Sequence, residues 1–315
     1  MSLFWVDFLY FFCYILLMEI IRATSDIFFK FLFGKEENKD LLLSFINAVH
    51  GDSGFALIKT VEIKNPFNIK NFSIDKESIV DVKATDENGR VYDIEVQTSG
   101  NDIFKNRTLY YWAKLYSSQL KEANLFSKLK PTICINVIDF DLFKEYDYPH
   151  SCFLLKEMNN PEFVLTDHLM IHFVELKKIE KKRKEIKKDL LDWSLFLENE
   201  GVKEDEMTIL LKDNEILKKA HNEYKKFTED EELRDLALRR EMFKMDHETQ
   251  LDEAKKEGEL LEKQNVLVKL ITKKFGITDN EKELIKKTTN LEKLDIAIED
   301  ILFIDNKDEI LNKLR

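Results

Sequence analysis

Two acidic residues, Asp81 and Glu95, lie in neighbouring segments that have the pattern of β-strands. Residues 79–82 and 91–96 are rich in β-branched and apolar side chains, and residues 86–89 between them are typical of a hairpin turn. A hairpin can bring the two carboxylates together, and close carboxylates repel unless a cation neutralises them. Mg²⁺ prefers oxygen ligands, so the pattern indicates a metal site for phosphodiester chemistry. The alternative is that both acids lie on a solvated face of the sheet.

The order Asp81, glycine-containing turn, Glu95-Val96-Gln97 resembles the active-site hairpin of the PD-(D/E)XK nuclease superfamily. More narrowly, it is similar to the Rpn family of recombination-promoting, transposase-like nucleases. The usual third residue of the superfamily is Lys, whereas this chain has Gln97. Gln can only hydrogen-bond, so stabilisation of the developing charge would fall more heavily on the metal. Gln occurs at this place in the Rpn family, which favours the narrower family, and loss of activity is the alternative.

Three further segments agree with the Rpn family in the order in which they occur. Residues 24–34 resemble its opening helix, residues 41–47 the continuation, and residues 107–116 its helix of Arg and Tyr residues. The resemblance covers about residues 24–178, over half of the chain. It implies a restriction-endonuclease-like core and a Mg²⁺-dependent DNA endonuclease, with Mn²⁺ as a second candidate metal, that acts in recombination or defence.

Roles for individual residues follow from this resemblance. Asp81 and Glu95 are the implied metal ligands, and Gln97 is implied to orient the attacking water or the DNA backbone. Asp26 is a further candidate ligand, because it occupies a place from which a helix acid can reach the metal site. Asp is also favoured in a first helical turn by capping and by the helix dipole alone, so a purely structural role for Asp26 stays open.

Candidate contacts to DNA lie on two predicted helices. Arg107, near a helix start just beyond the catalytic strand, could hold a phosphate. Tyr110, Trp112 and Tyr116 could stack on bases, although aromatic residues at helical spacing are more often part of a core. Lys30 in the opening helix is a third candidate contact.

The wider pattern predicts an α/β fold. Segments with the pattern of strands are 57–64, 78–83, 91–97, 132–137, 151–155 and 170–176, and a long helix is predicted over about 102–128. Strands that alternate with a crossover helix indicate a mixed sheet flanked by helices. The predicted organisation is an apolar extension at 1–17, a nuclease-like domain at 18–178 and an all-helical C-terminal region at 179–315.

The apolar extension has three explanations. It lacks the basic start and small-residue cleavage site of a signal peptide. As a membrane span it is short, and Asp7 would cost a few kcal/mol in the hydrocarbon. The preferred explanation is that translation begins at Met18, so that a membrane is not an expected partner. A genuine membrane anchor and a buried or partner-bound apolar helix are the alternatives.

The chain is acidic, with 49 Lys and Arg residues against 60 Asp and Glu residues and a net charge of −11. Neither half is basic, which predicts weak, salt-sensitive binding to DNA. Modest negativity does not exclude DNA, because a metal-dependent nuclease keeps acids that a bound cation offsets. Residues 177–188 are strongly positive, with 8 basic and 2 acidic residues. They form either a solvated helix face or a contact to the DNA backbone.

Cys13, Cys134 and Cys152 have no metal-ligand spacing, which favours a reducing, cytoplasmic location. The sequence contains no phosphate-binding or dinucleotide glycine motif and no serine-hydrolase elbow, so ATP-driven, redox and serine-hydrolase functions have no support. The helical C-terminal region is expected to mediate homo-oligomerisation or partner binding. The alternative to a DNA endonuclease is therefore an inactive nuclease-fold protein that acts as an interaction module.

Overall fold

A mixed β-sheet forms the centre of the fold. The computed structural model describes residues 20–67, 81–120 and 125–314, so the predicted apolar extension lies outside the described residues. Within them, six strands form one sheet in the order β1-β2-β3-β4-β6-β5. The strands are β1 (Val61–Ile63), β2 (Val82–Asp86), β3 (Val91–Gln97), β4 (Thr132–Ile138), β5 (His150–Lys156) and β6 (Val164–Glu175). Strands β3, β4 and β6 run parallel, while β1, β2 and β5 are antiparallel to their neighbours.

Helices precede, interrupt and follow the sheet. Before and between the strands they are α1 (Asp26–Phe33), α2 (Lys39–Asp52) and α3 (Ile103–Ser117). After the sheet come α4 (Ile179–Lys182), α5 (Lys188–Asn199), α6 (Glu204–Leu211), α7 (Glu215–Glu229), α8 (Glu231–Phe275), α9 (Asp279–Lys287), α10 (Leu291–Asp300) and α11 (Lys307–Lys313). Short 3₁₀ turns lie at Glu36–Asn38, Phe126–Lys128 and Leu176–Lys178. The predicted α/β class with a helical C-terminal region is thus confirmed.

The β2–β3 hairpin is closed by Asp86, the last residue of β2. Its Oδ1 accepts hydrogen bonds from the backbone N–H groups of Asn88 at 2.8 Å and Arg90 at 3.0 Å, and its Oδ2 accepts from the hydroxyl of Tyr92 at 3.1 Å. Gly89 supplies a φ of 77° inside the turn, a conformation that glycine adopts without strain. An Asp that bonds backbone groups two and four residues ahead stabilises a turn, so these contacts set the pairing of β2 with β3.

Each face of the sheet has its own apolar core. Tyr92, Ile94 and Val96 are buried with the side chains of α1, α2 and α5. On the other face, Cys134, Ile138, Ile171 and Phe173 form a separate cluster with Phe104 of α3. Because side chains alternate along a strand, the second face is also the one to which the remaining side chains of β3 are directed.

The long helix predicted over 102–128 is wrong in its length, because α3 ends at Ser117. The hydroxyls of Ser117 and Ser118 donate to carbonyls in the preceding turn, at 3.1 and 2.8 Å, and such bonds compete with helix propagation. The side chain of Gln119 then bonds the backbone N–H and carbonyl of Lys130, which fixes the chain close to the start of β4. Residues 121–124 lie outside the described residues.

The other elements agree with prediction to different degrees. Strand β3 matches the predicted 91–97, and β4 exceeds its prediction by one residue. Strand β1 is shorter than 57–64, and β6 begins six residues before the predicted 170. Residues 78–80 lie outside the described residues, and Asp81 directly precedes β2.

The described residues up to Arg239 form one compact unit and those from Arg240 form another. In the second unit, α8 ends at Phe275, Gly276 follows with a φ of 75°, and Thr278 and Glu281 form a reciprocal cap at the start of α9. The predicted domain boundary after Lys178 remains a prediction. Among the described residues, no helix is both long enough and apolar enough to cross a membrane.

Candidate active site

Three polar side chains of β3, those of Asp93, Glu95 and Gln97, share the face of the sheet that carries α3. They are two residues apart, so they point the same way. The Sγ–H of Cys134 donates to Asp93 Oδ2 at 3.8 Å, and Arg107 of α3 donates to Gln97. Asp93 and Glu95 are only 2% and 8% exposed. Glu95 therefore does not lie on a solvated face of the sheet, which was the alternative to a metal site.

Asp81, the residue directly before β2, lies beside β3. Its Oδ2 accepts a hydrogen bond from the backbone N–H of Val96 at 3.0 Å, which places the Asp81 carboxylate beside Glu95. Its Oδ1 lies 3.3 Å from Nζ of Lys30 in α1. Burial raises the pKa of Asp81, the Lys30 charge opposes that rise, and the charge of Asp26 adds to it. Helix α1 and the hairpin therefore build one site together.

Glu95 is held in a surrounding that disfavours its charge. Burial, followed by the nearby charges of Asp93 and Asp81, raises the pKa of Glu95 to about 9, while Arg107 and Lys30 act in the opposite direction. A carboxyl group in this position is protonated at neutral pH when nothing else neutralises it. Binding of a cation would have to displace that proton.

Asp93 is the acid that the sequence interpretation missed. Burial and the charge of Asp81 raise its pKa to about 8, and its Oδ1 is buried without a hydrogen-bond partner among the described residues. The available signal was the two-residue spacing of Asp93, Glu95 and Gln97. This spacing puts all three on one face of any strand.

Gln97 lies at the carboxyl end of β3, where its Oε1 accepts a hydrogen bond of 2.7 Å from Nη2 of Arg107. The Arg107 guanidinium also lies over the ring of Phe104, 4.7 Å from its centroid. Arg107 therefore contacts the third motif residue directly. Its predicted contact to DNA remains a prediction.

Asp26 and Lys30 lie one helical turn apart in α1, and both are about 9% exposed. The described residues contain no group of three or more His, Cys, Asp or Glu side chains arranged to hold a metal ion. Asp26 as a further ligand thus stays a prediction, and so does Lys30 as a DNA contact. The fit to Mg²⁺ rests on Asp81 and Glu95, since Mg²⁺ commonly takes one or two carboxylates and keeps waters for its other positions.

The aromatic residues of α3 have different roles. Tyr110 is 61% exposed, so its ring is available to a ligand. Trp112 donates from Nε1 to the carbonyl of Thr132 at 2.9 Å and stacks on Tyr116, whose hydroxyl contacts His168. Trp112 and Tyr116 are therefore engaged in contacts within the protein, whereas the DNA contact of Tyr110 remains a prediction.

Half of the basic residues in the run 177–188 form ion pairs within the protein. Lys178, Lys182, Arg183 and Lys188 each form an ion pair with an acidic residue nearby in the sequence. Paired side chains add little net positive potential, so these contacts favour a structural role for the run.

A chain of buried polar groups lies on the opposite face of the sheet. His150 bonds Asp52 at 2.7 Å and His172 at 3.0 Å, and Cys152 Sγ lies 3.8 Å from His172. Burial lowers the pKa of His172 far below its usual value and raises the pKa of Cys152 to about 12. A thiol with that pKa is protonated and is not a nucleophile. Cys152 is a free cysteine that is partly buried against this group.

Asp93→Asn is expected to stabilise the metal-free protein at pH 8 by several kcal/mol, about 1.4 kcal/mol for each unit by which the pKa in the folded state exceeds that in the unfolded state. The raised pKa means that the folded state binds a proton that the unfolded state releases. Stability is therefore lost as pH rises from about 4 to about 8, the value to which the Asp93 pKa is raised. Asn has the same shape and no charge to desolvate. The free energy of unfolding, measured by urea denaturation in EDTA from pH 4 to pH 9, checks this difference.

The gain in the free energy of unfolding from Asp93→Asn should shrink towards pH 4, where the Asp93 carboxyl of the wild type becomes protonated in both the folded and the unfolded state. Glu162→Gln, in the exposed loop between β5 and β6, is the matched control and should not show this pH dependence. Parallel stability curves for the wild type and Asp93→Asn would contradict the buried, charge-disfavouring surrounding of Asp93.

Comparison with known protein families gave a match. A family model described as PD-(D/E)XK nuclease family transposase matches residues 23–254, well over half of the chain. No curated protein and no solved structure matches the chain. The matched range contains the whole sheet and every residue of the candidate site.

Proposed function

Because this chain belongs to the family of PD-(D/E)XK nuclease transposases, we propose that it is a Mg²⁺-dependent DNA endonuclease that hydrolyses phosphodiester bonds. The observation that carries the proposal is the convergence of Asp81 and Glu95. Asp81 bonds the backbone N–H next to Glu95, and its charge raises the pKa of Glu95. Two largely buried carboxylates that lie close enough for their charges to interact are costly to stability, which is expected where they serve a cation and its chemistry.

Asp81 and Glu95 would hold the divalent metal. When bound, Mg²⁺ lowers the pKa of coordinated water and shields the charge that develops on the phosphate. Asp93 Oδ1, buried and without a hydrogen-bond partner among the described residues, supports a site that favours added positive charge. Mn²⁺ takes similar oxygen ligands and is expected to substitute.

Two cationic side chains would supply the positive charge that Gln97 lacks. Lys30 Nζ lies 3.3 Å from Asp81 Oδ1, inside the site, where an ammonium can help to neutralise the scissile phosphate. Arg107 donates to Gln97 Oε1 and so fixes its side-chain amide. The two amide protons on Gln97 Nε2 then stay available to water or to the DNA backbone.

The wider roles are proposals that rest on the family. DNA is the proposed substrate and recombination or defence the proposed setting, in the cytoplasm. The helical region after the sheet is proposed to mediate homo-oligomerisation. Tyr110, exposed on α3, is proposed to contact DNA bases by stacking.

Incubation of the purified protein with supercoiled plasmid DNA tests the proposed activity. We expect conversion to nicked and linear forms in Mg²⁺ or Mn²⁺ and no conversion in EDTA, because the carboxylates alone cannot activate water. Activity that persists in EDTA would contradict the metal dependence. Intact plasmid in both metals would instead favour an inactive nuclease-fold protein that acts as an interaction module.

A further inference from the structure

A cavity of about 650 Å³ lies beside the loop between β4 and β5. Its lining includes three aromatic rings, and two of them are largely accessible: Tyr146 is 50% exposed and Phe153 is 46% exposed. The third, Phe143, packs against Phe153 with ring centroids 5.3 Å apart. Cavities of this size accommodate small organic ligands, and an exposed aromatic wall offers a surface on which a planar ligand can stack.

The loop that carries Phe143 and Tyr146 is held by a buried ion pair. Lys178 Nζ donates to Glu175 Oε2 at 2.8 Å and to the carbonyls of Phe143 and Tyr146 at 2.7 and 2.6 Å. Glu175 Oε1 accepts from the backbone N–H groups of Leu142 and Phe143 at 2.8 and 3.2 Å. A buried ion pair contributes little net stability, but this one fixes the loop backbone at four points. The aromatic wall is therefore rigid before any ligand binds.

The charges around the cavity nearly cancel. Lys105 pairs with Asp102 at 2.8 Å and lies 5.1 Å from the centroid of Phe143, while Lys144 and Glu145 are adjacent in the lining. The hydroxyl of Ser151, which also belongs to the lining, is buried and has no hydrogen-bond partner among the described residues. A neutral planar group with polar edges fits such a lining better than a phosphate does.

The cavity and the candidate active site both lie at the end of the sheet where the parallel strands have their carboxyl ends. Strands β3, β4 and β6 are parallel, Gln97 ends β3, and His150 at the start of β5 pairs with Val174 near the end of β6. Strand β5 is three places from β3, which is about 14 Å at about 4.8 Å per strand. About four stacked nucleotides of one DNA strand cover that distance.

We propose that this cavity binds an unpaired nucleobase of the DNA substrate, a few nucleotides from the bond that is cut. The base stacks on Phe153 and Tyr146, its polar edge reaches Ser151, and its phosphate stays outside. The inference rests on the proposed nuclease function and narrows its substrate to DNA with a single-stranded segment beside the cleavage site. A fully paired base cannot enter the cavity, because its faces and edges are occupied within the duplex.

Fluorescence anisotropy in EDTA tests this inference by measuring the binding of fluorescein-labelled oligothymidylate. The oligonucleotide has about 12 nucleotides, a length typical of single-strand sites. The ligand for comparison is an equally long strand of abasic residues. Phe153→Ala should weaken binding of oligothymidylate about tenfold, as expected for loss of one stacking partner. Phe153→Trp should restore it. Leu155→Ala is the matched control, because Leu155 is 41% exposed on the same strand but outside the cavity lining.

Equal affinity of the wild type and Phe153→Ala for oligothymidylate would overturn the inference, as would equal affinity of the wild type for the two strands. Cleavage in Mg²⁺ by the wild type of a duplex that carries a single-stranded gap reports separately on the proposed nuclease function. Loss of cleavage with an intact Phe153 effect would contradict only that function. Cleavage without a Phe153 effect would contradict only the nucleobase site.

Discussion

Asp81→Asn and Glu95→Gln should each lower the rate of plasmid nicking more than about 100-fold, since groups that merely support a metal ligand already contribute 10–100-fold. Both substitutions remove a carboxylate that would hold the cation and keep the shape of the side chain. The fold should persist and become slightly more stable without metal, because burial raises the pKa of both acids and their charges repel. Nicking rates in Mg²⁺ and melting temperatures in EDTA are the two measurements.

Glu62→Gln provides the control for this pair. Glu62 is an exposed acid on β1 of the same sheet and lies outside the site, so its replacement should leave nicking unchanged. Nicking by Asp81→Asn and Glu95→Gln at the wild-type rate would remove the basis for the assigned site. A lower rate that coincides with a collapsed melting temperature would mean that the acids stabilise the fold rather than serve the reaction.

Gln97→Ala should slow nicking about 10²-fold, a typical cost of removing one stabilising hydrogen bond in an active site. Gln97→Lys should raise the Mg²⁺ concentration needed for half-maximal cleavage, because the new ammonium repels the cation. The contact with Arg107 strengthens this expectation, since Gln97 Oε1 lies 2.7 Å from Nη2 of Arg107. An ammonium in that place would face a guanidinium as well as the metal.

Cleavage rate against Mg²⁺ concentration for the wild type, Gln97→Ala and Gln97→Lys checks this prediction. In Gln97→Lys the new ammonium is repelled both by the metal and by the Arg107 guanidinium. Arg107→Gln, made alone and together with Gln97→Lys, separates these two effects because it removes only the guanidinium. The combined variant should need less Mg²⁺ than Gln97→Lys alone. Superimposable curves for the wild type and both Gln97 variants would place Gln97 outside the reaction.

The hairpin was predictable because its signals are local. The alternation of apolar and polar residues in β3 and the turn residues 86–89 depend only on neighbours in the sequence. The α/β class followed from the same periodicities. The end of α3 was not predictable in this way, since Gln119 reaches Lys130 across a stretch of chain that periodicity does not describe.

The site itself was predicted in part. Asp81, Glu95 and Gln97 came from spacing and resemblance, and the structure brings the first two together and connects the third with Arg107. The ion pair of Lys30 with Asp81 depends on how α1 packs against the hairpin, which is tertiary information. Asp93 was visible in the sequence, but only its burial shows that its charge matters.

The hydrogen bonds of Asp86 across the hairpin turn determine which changes of chain length this fold can tolerate. Strand side chains alternate between faces, so a one-residue shift of β3 would carry Glu95 and Gln97 to the apolar face and bring Tyr92 and Val96 to the polar one. An insertion of one residue between Asp86 and Val91 therefore exchanges the two faces unless it is absorbed within the loop, whereas a shift by two residues keeps the parity. Length variation in this turn is constrained by the positions of Glu95 and Gln97, although none of the turn residues belongs to the candidate site.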